Sequence, residues 1–314
     1  MRRKKIDSLD LKKEIVIFYH ANCLDGLTSA YFARKKFKND ANYIPLFYTI
    51  RSEKILKGNN ININDLKDKK IYFLDFCLRK EELKRVLKIA KSVVILDHHI
   101  GVKDVILSVS GSVFGYSEKG ESGAVITHRY FFPKQKLPPL AKYVGISDTL
   151  LFSKNKKAAE IERNILSYIH SLEYNFQTLA LLEKELEDKK KFKEILRIGS
   201  ILKADYKKRV ATHFQHAKLI DFLGHRVYAV NSSMVFRSEL GHYFSADRDF
   251  AVIYSFLKNI SGDIVLKLSF RGDGRVDLSK IANRLGGGGH LCVSGVFIKD
   301  QKFILDFIKK IISS

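Results

Sequence analysis

The sequence contains no tryptophan, only four prolines and only three cysteines among its 314 residues. Cys23, Cys77 and Cys292 lie far apart and form no CxxC pair, which argues against a disulfide scaffold and against a cysteine-type zinc site. This usage favours a reducing, cytoplasmic setting. No apolar run is long enough to span a bilayer, and the basic start of the chain lacks the apolar segment of a signal peptide.

Acidic residues are scarce relative to basic ones. The 56 lysines and arginines against 34 aspartates and glutamates give a formal net charge of +22. Such an excess repels itself unless an anionic partner or salt screens it, so a nucleic acid or a phosphorylated small molecule is the natural partner. The alternative is that the lysines only coat helix faces, as between residues 184 and 193.

Short apolar runs alternate with helical patterns in the first part of the chain. Residues 14–26 predict a strand followed by a turn, residues 69–78 a strand that ends at Asp75, and residues 93–99 another strand, while residues 79–92 predict an amphipathic helix. This alternation predicts an α/β fold with a doubly wound, mostly parallel sheet. Ligands of such sheets bind beyond the carboxyl ends of the strands.

The remainder of the chain has a different pattern. Residues 155–220 are rich in Lys, Glu, Leu and Ile and predict helices, while β-branched and aromatic strands return after Gly224. We therefore predict a first domain over residues 1–178, a helical connector over 179–221 and a smaller α+β domain over 222–314. The N-terminal half of the helical segment is equally compatible with helices of the first domain.

Polar, titratable side chains follow the predicted elements of the first domain. Carboxylates and imidazoles together suit Mn²⁺, Mg²⁺ or Zn²⁺, and their mixture favours Mn²⁺ over Ca²⁺. A lone aspartate after a strand more often caps a helix or fills a turn, but several at one sheet edge predict a metal site. The segment that ends at Asp148 is either a helix or a strand. The candidate ligands are Asp25, Asp75, the pair His98 and His99, and Asp148.

Five motifs occur in a fixed order along the chain: "HANCLDGLTSA", "LDFC", "LDHH", "SDTL" and "GGGGH". Together they resemble the DHH–DHHA1 phosphoesterase superfamily, from about residue 14 to the end. Its members include RecJ-like nucleases, oligoribonucleases of the NrnA type and phosphodiesterases of cyclic or linear dinucleotides. The resemblance implies a hydrolase that uses two Mn²⁺ ions, with Mg²⁺ or Zn²⁺ as alternatives.

The resemblance also assigns roles to individual residues. It implies that Asp75 is a metal ligand shared by both ions, and that Asp97 and His99 orient the ligands or donate a proton to the leaving oxygen. The other implied metal ligands are Asp25, His98 and Asp148.

One motif departs from the pattern of the family. Cys23 stands where an aspartate is expected, and Tyr19 stands where a histidine is expected, with His20 one residue later. Cys23 is either a thiolate ligand, which favours softer ions such as Zn²⁺, or a small buried residue. We expect His20 to reach the first metal, because a turn absorbs a shift of one residue.

The last part of the chain supplies the expected substrate-binding residues. A run of glycines is often a flexible linker, but it also lets backbone N–H groups approach an anion. With the resemblance, we expect phosphate and nucleoside to bind at Gly287, Gly288, Gly289 and His290. Arg271 is expected to clamp a phosphate. The alternatives are that it is a surface charge or that it forms a salt bridge with Asp273 or Asp277.

The leading hypothesis is a Mn²⁺-dependent phosphodiesterase or exonuclease that acts on short single-stranded RNA or DNA, or on dinucleotides. One alternative is hydrolysis of small nucleotides, such as cyclic dinucleotides or 3′-phosphoadenosine 5′-phosphate. Another is a catalytically weakened nucleic-acid-binding protein on the same fold. No membrane partner is expected, and the sequence leaves the oligomeric state open, with a homodimer among the options.

Overall fold

The computed structural model describes residues 11–48, 54–115, 120–233, 235–258, 262–289 and 291–314. The chain forms two compact units, the first ending at Lys203 and the second beginning at Ala204. The long helix α9 (Lys189–Ala211) runs through this boundary. The domain limits predicted from the sequence, after residues 178 and 221, remain predictions. His290 lies outside the described residues.

The first unit contains a five-stranded sheet in the order β2-β1-β3-β4-β5, and all of its strand pairs are parallel. The predicted α/β class with a parallel sheet is therefore confirmed. The sequence patterns did not indicate β2, which carries Pro45 and lies at the edge, where the missing N–H of proline is tolerated. The strands are β1 (Ile15–His20), β2 (Ala41–Leu46), β3 (Lys70–Leu74), β4 (Ser92–Asp97) and β5 (Val113–Phe114).

Helices cover both faces of this sheet. On one face Phe18 and Phe73 stack with ring centroids 5.2 Å apart and belong to the same core as Val86 of α3. On the other face Ile17 shares a core with Ala33 of α1. The helices of this unit are α1 (Leu24–Phe37), α2 (Ile55–Gly58), α3 (Lys80–Ile89), α4 (Lys103–Leu107), α5 (Gly123–Phe131), α6 (Pro139–Thr149), α7 (Lys156–Ile169), α8 (Phe176–Glu187) and the first part of α9.

The strand order determines where a ligand is expected. The chain runs from β1 outward to β2 and then returns to β3 on the other side of β1. Side chains beyond the carboxyl ends of β1 and β3 therefore line the crevice at which doubly wound sheets bind ligands. His20 is the last residue of β1, Asp75 directly follows β3, and Asp97 is the last residue of β4.

Asp148 reaches this region from a different kind of element. It lies in the last turn of α6, which begins with Pro139 and ends where Leu150 adopts a left-handed conformation. The segment that ends at Asp148 is therefore a helix, whereas the sequence was compatible with a helix or a strand. The sequence was ambiguous here because "LAKYVGI" is a short apolar run without clear periodicity.

The second unit is an α+β arrangement, as predicted. Its sheet has the order β10-β11-β9-β8-β7-β6, and only β7 and β8 run parallel, joined through α10. The first strand begins before Gly224, earlier than the sequence patterns indicated. Its elements are β6 (Lys218–Phe222), β7 (His225–Asn231), α10 (Arg237–Ser245), β8 (Ala251–Lys258), β9 (Ile264–Arg271), α11 (Leu278–Arg284), β10 (Gly288–Gly289), β11 (Val293–Ile298) and α12 (Gln301–Ile312).

Among the described residues, no helix is at once long enough and apolar enough to cross a membrane.

Candidate metal centre

Asp75 is at the centre of the polar cluster at the sheet edge. Its backbone is left-handed, with φ of 52°, and its N–H donates to the carbonyl of Leu96 at 2.8 Å. Its carboxylate is buried, and Oδ2 lies 3.3 Å from Nδ1 of His20 while Oδ1 lies 3.4 Å from Nε2 of His98. A left-handed aspartate is costly unless its surroundings fix it, and such residues concentrate at functional sites.

The histidines around Asp75 keep its carboxylate charged. Burial alone would raise the pKa of Asp75, but His20 and His98 beside it, together with the charge of His99, lower the pKa below its ordinary value. A buried carboxylate that is held ionised between two imidazoles has the properties of a cation ligand.

Asp25 lies in the first turn of α1 and connects that helix to α5. Its Oδ2 accepts a hydrogen bond from the N–H of Gly123 at 2.6 Å, and its Oδ1 accepts one from the N–H of Ala124 at 3.0 Å. Both donors are N–H groups at the start of α5, where the helix itself provides no acceptor for them. Burial and the charges of Asp75 and Asp148 nevertheless raise the pKa of Asp25 well above its ordinary value.

The close packing at Gly123 gives a first prediction. A Cβ at this position would lie 2.6 Å from Cβ of Asp75 and 2.8 Å from Oδ2 of Asp25. We expect Gly123→Ala to lower the free energy of unfolding by about 1–3 kcal/mol, because overpacking forces buried groups apart. Urea denaturation measures the change. The matched control is Gly101→Ala, since a Cβ at Gly101 meets nothing within 4 Å. Equal stability of the two variants would contradict the packing described here.

His98 faces three carboxylates at once. Its Nε2 lies 3.1 Å from Asp148, 3.4 Å from Asp75 and 3.9 Å from Asp25. Burial alone would lower the pKa of His98, but these carboxylates outweigh burial and raise the pKa to about 9. In the absence of a cation, a proton on His98 therefore offsets part of the negative charge of the cluster.

Asp97 holds the two histidines in place. Its Oδ1 accepts hydrogen bonds from the backbone N–H of His98 at 2.7 Å and of His99 at 3.2 Å. The same oxygen lies 2.7 Å from Nδ1 of His99. Burial lowers the pKa of His99, but the charge of Asp97 and this hydrogen bond raise it to about 10. His99 is therefore charged at neutral pH and fixed in orientation.

The raised pKa values predict how the metal-free protein responds to pH. A histidine whose pKa rises on folding stabilises the protein below the ordinary value of 6.5, and this stabilisation is lost as pH rises through the folded value. We therefore expect stability in chelator to fall between pH 6.5 and about 10. The raised pKa of Asp25 acts in the same direction. The urea concentration at the midpoint of unfolding should decline with pH less steeply in His99→Gln than in the wild type. The exposed His216→Gln should follow the wild type, and a wild-type slope in both variants would contradict the prediction.

The titratable side chains of the cluster fall into three groups, namely Asp75 with Asp97, His98 and His99, and two smaller groups that are named below. Within each group, one ligand atom of every residue lies within 4.8 Å of the others. The first smaller group, called the His20 group below, is His20, Cys23 and Asp75. The second, called the His98 group, is Asp25, His98 and Asp148.

Unsatisfied buried atoms indicate that the cluster fits a cation. Oδ1 of Asp75 and Nε2 of His98 are buried and make no hydrogen bond of good geometry within the described part of the chain. Buried polar atoms are normally paired, so each unpaired atom needs an explanation such as an ion. Carboxylate and imidazole donors suit divalent ions, and the donor set therefore fits the metal that the motifs imply.

The structure shows where the residues of the first motif lie, the motif that differs from the family pattern at Tyr19 and Cys23. Nδ1 of His20 lies 3.3 Å from the carboxylate of Asp75, whereas Tyr19 lies on the other side of β1 and packs against Phe176 with ring centroids 6.4 Å apart. Cys23 directly precedes α1, is only partly buried and belongs to the His20 group. Strand alternation explains why His20, and not Tyr19, points into the cluster.

Arg271 is surrounded by other basic groups in the second unit. Burial and the charge of Arg237 lower the pKa of Arg271 to about 10, and both arginines contribute to lowering the pKa of Lys267. We call Arg237, Lys267 and Arg271 the basic cluster. The nearby Asp273 is engaged by Arg275 at 2.9 Å, so the structure does not show the alternative salt bridge between Arg271 and Asp273.

Asp277, the second aspartate considered as a salt-bridge partner of Arg271, also has other hydrogen-bond partners. Asp277 caps α11 by accepting hydrogen bonds from the N–H groups of Ser279 and Lys280. The guanidinium of Arg271 donates to the carbonyl of Phe270 at 2.9 Å. Neighbouring like charges disfavour each other's charged form, which is the direction of the pKa shift of Arg271.

The glycine run is ordered and not a free linker. Gly288 and Gly289 form β10 and pair with β11. A Cβ at Gly287 would lie 2.2 Å from the carbonyl of Gly295, and Gly289 has a φ of 141°, which a side chain would oppose. A Cβ at Gly288 meets nothing within 4 Å, so this backbone is open to a ligand.

Two features near these sites were not predicted from the sequence. Arg237 lies at the start of α10, where no motif identified it. Next to Asp148, Oγ of Ser147 lies 3.0 Å from Nε2 of His170, whose Nδ1 lies 2.7 Å from the hydroxyl of Tyr174. These residues come from α6, the end of α7 and the following loop, so only the tertiary structure brings them together.

Comparison with known proteins supports the fold. No family model matches the chain. A relative from Acanthamoeba polyphaga mimivirus, the uncharacterized protein R106, is 26% identical over 318 residues, covering 94% of this chain and 70% of that protein. The DHH domain of a protein described as belonging to a family of ribosomal proteins superposes with a TM-score of 0.52 at 15% identity, covering 95% of this chain and 86% of that one. A manganese-bound exonuclease RecJ gives a TM-score of 0.49 at 14% identity, covering 97% and 90%.

The chain therefore has a fold similar to that of a DHH domain. The resemblance predicted from the motifs is confirmed at this level, together with the α/β architecture followed by a separate mixed-sheet unit.

Proposed function

We propose that this chain is a divalent-metal-dependent phosphodiesterase that hydrolyses phosphodiester bonds of short oligonucleotides with a metal-activated water. The observation that carries the proposal is the buried cluster at the switch point of the sheet. There Asp75 of the His20 group lies 3.4 Å from His98 of the His98 group, and neither Oδ1 of Asp75 nor Nε2 of His98 makes a hydrogen bond of good geometry. We propose Mn²⁺ as the principal ion, because the His98 group offers carboxylate and imidazole donors.

The proposed roles follow from the donor atoms. Asp25, Asp75, His98 and Asp148 would hold the ions. When bound, two divalent ions lower the pKa of a water molecule and offset the charge of the phosphodiester oxygens. This chemistry needs no protein nucleophile. The serine–histidine pair next to Asp148 ends in a tyrosine and not in the carboxylate that orients a catalytic triad.

Asp97 and His99 serve the leaving group in this proposal. The contact between Asp97 and Nδ1 of His99 keeps the imidazole charged and oriented. A charged histidine is a suitable donor of a proton to the leaving oxygen. Asp97 is then a positioning residue, because it acts through His99.

The basic cluster supports a phosphorylated substrate. Arg237, Lys267 and Arg271 crowd three positive charges in the second unit, and an arginine fork binds phosphate through two parallel hydrogen bonds. We propose that this cluster binds a phosphate of the substrate and that the open backbone at Gly288 contacts its nucleotide. A cluster of three basic side chains also suits the second candidate, which is hydrolysis of a small nucleotide such as a dinucleotide. The three free cysteines suit action in a reducing compartment such as the cytoplasm.

A substrate series tests this function. The protein is incubated with Mn²⁺ and labelled single strands of RNA and DNA from dinucleotides to long oligonucleotides. Cyclic dinucleotides and 3′-phosphoadenosine 5′-phosphate are added to the panel. We expect turnover of the short strands, and turnover confined to dinucleotides or the bisphosphate would select the second candidate. Binding of oligonucleotides without hydrolysis in any divalent ion would overturn both and indicate a nucleic-acid-binding protein.

A further inference from the structure

The two halves of the metal centre offer chemically different donors. The His20 group supplies an imidazole nitrogen, a sulfur and a carboxylate, whereas the His98 group supplies two carboxylates and an imidazole. Asp75 belongs to the first group, and its other oxygen lies 3.4 Å from His98 of the second. One half of the centre is therefore softer than the other.

The local backbone directs Cys23 toward its neighbours in the cluster. Cys23 occupies the N-cap position of α1, and its carbonyl accepts a hydrogen bond from the N–H of Leu27 at 3.0 Å. Its side chain makes no capping hydrogen bond, although side-chain capping is the usual reason for the choice of residue there. Its sulfur instead lies within 4.8 Å of ligand atoms of His20 and Asp75.

A second observation indicates a cation beside the His20 group, at the oxygen of Asp75 that faces His98. Asp75 is 1% exposed, and its Oδ1 has no hydrogen-bond partner among the described residues. Nε2 of His98, which is 8% exposed, also makes no hydrogen bond of good geometry and faces the carboxylates of Asp148 and Asp75. These atoms are independent of the cysteine, and they indicate a cation at the carboxylate of Asp75, which is also a member of the His20 group.

We propose that the His20 group binds a thiophilic divalent ion, with Zn²⁺ as the preferred one, while the His98 group binds a harder ion such as Mn²⁺. Thiolate ligands select Zn²⁺ over Mn²⁺ and Mg²⁺, whereas carboxylate-rich sets accept the harder ions. Three protein donors for zinc, with a fourth position open, are typical of zinc sites that act on substrates. The inference rests on the metal requirement of the proposed function and specifies the two ions.

Cobalt spectroscopy tests the sulfur ligand without any assay of activity. The protein is freed of metal with a chelator and titrated with Co²⁺, because a bond between cobalt and a thiolate gives a charge-transfer band in the near ultraviolet. We expect this band in the wild type, its loss in Cys23→Ser, and its retention in Cys77→Ser and Cys292→Ser. Absence of the band in the wild type, or its persistence in Cys23→Ser, would overturn the inference.

Metal competition tests the selectivity. Equilibrium dialysis against a mixture of Zn²⁺ and Mn²⁺ should leave one zinc per chain on the wild type. In Cys23→Asp, which replaces the sulfur with oxygen donors, we expect the preference for Zn²⁺ to fall by about tenfold or more, or about 1.4 kcal/mol. Equal metal ratios in both proteins would contradict the assignment. A cobalt band without hydrolysis of any phosphodiester would support the zinc site and overturn the proposed function. Hydrolysis of a phosphodiester without the band would support the proposed function and overturn the zinc site.

Discussion

Asp75→Asn is expected to abolish hydrolysis of every phosphodiester substrate, lowering kcat by about a thousandfold or more. Metal ions supply several kcal/mol of transition-state stabilisation, and each 1.4 kcal/mol corresponds to about a factor of ten. The amide keeps the shape of the side chain but removes the charge that faces His20 through one oxygen and His98 through the other. Both halves of the centre are weakened by this one change.

The measurement combines activity with metal content. Hydrolysis of a short oligonucleotide and of bis(p-nitrophenyl) phosphate is followed in Mn²⁺, and bound metal is counted after dialysis. The matched control is Asp104→Asn, which removes an exposed carboxylate in the first turn of α4. Wild-type rates in Asp75→Asn would show that the metal assignment is wrong. A folded variant that binds fewer ions and has lost turnover would support it.

Arg271→Gln is expected to change substrate binding and leave the chemistry of the centre unaffected. Hydrogen bonds to charged groups contribute about 1.5–3 kcal/mol each, so loss of the fork should raise KM for a phosphorylated dinucleotide by about tenfold to a hundredfold. Turnover of bis(p-nitrophenyl) phosphate, which carries no second phosphate, should stay at the wild-type rate. Arg271→Lys should recover only part of the affinity, because lysine keeps the charge but not the planar fork.

Steady-state kinetics on the two substrates separate this effect from misfolding. Arg226→Gln is the control, since it removes an exposed arginine from β7 of the same unit and causes the same change of net charge. An equal loss of both activities in Arg271→Gln would indicate structural damage. An unchanged KM for the phosphorylated dinucleotide would exclude Arg271 from substrate binding.

The sequence predicts the parts of the fold that are encoded locally. Strands β1, β3 and β4 are apolar runs buried on both faces, and such runs are typical of parallel sheets. The positions of His20, Asp75 and Asp97 at the ends of these strands follow directly. The element that carries Asp148 did not follow, because a short apolar run fits a helix or a strand equally well.

Contacts between distant parts of the chain could not be predicted. The hydrogen bonds from Gly123 and Ala124 to Asp25 join residues about a hundred positions apart, and no local pattern encodes them. Arg237 was missed for the same reason, since only the packing of α10 on the sheet brings it near Arg271. The left-handed backbone of Asp75 had no signal either, because only a few per cent of non-glycine residues adopt this conformation and most aspartates, although enriched there, do not.

The edge of the first sheet has a consequence for association between copies of the chain. The outer strand β2 carries Pro45, which donates no hydrogen bond, and the opposite edge strand β5 has only two residues. A long, flat edge is a template on which another chain can add a strand, and proline or shortness removes that template. The buried strands of this unit, although strongly apolar, are therefore protected from edge-to-edge aggregation, and a dimer that forms through this unit would have to use a surface other than the edges of its sheet.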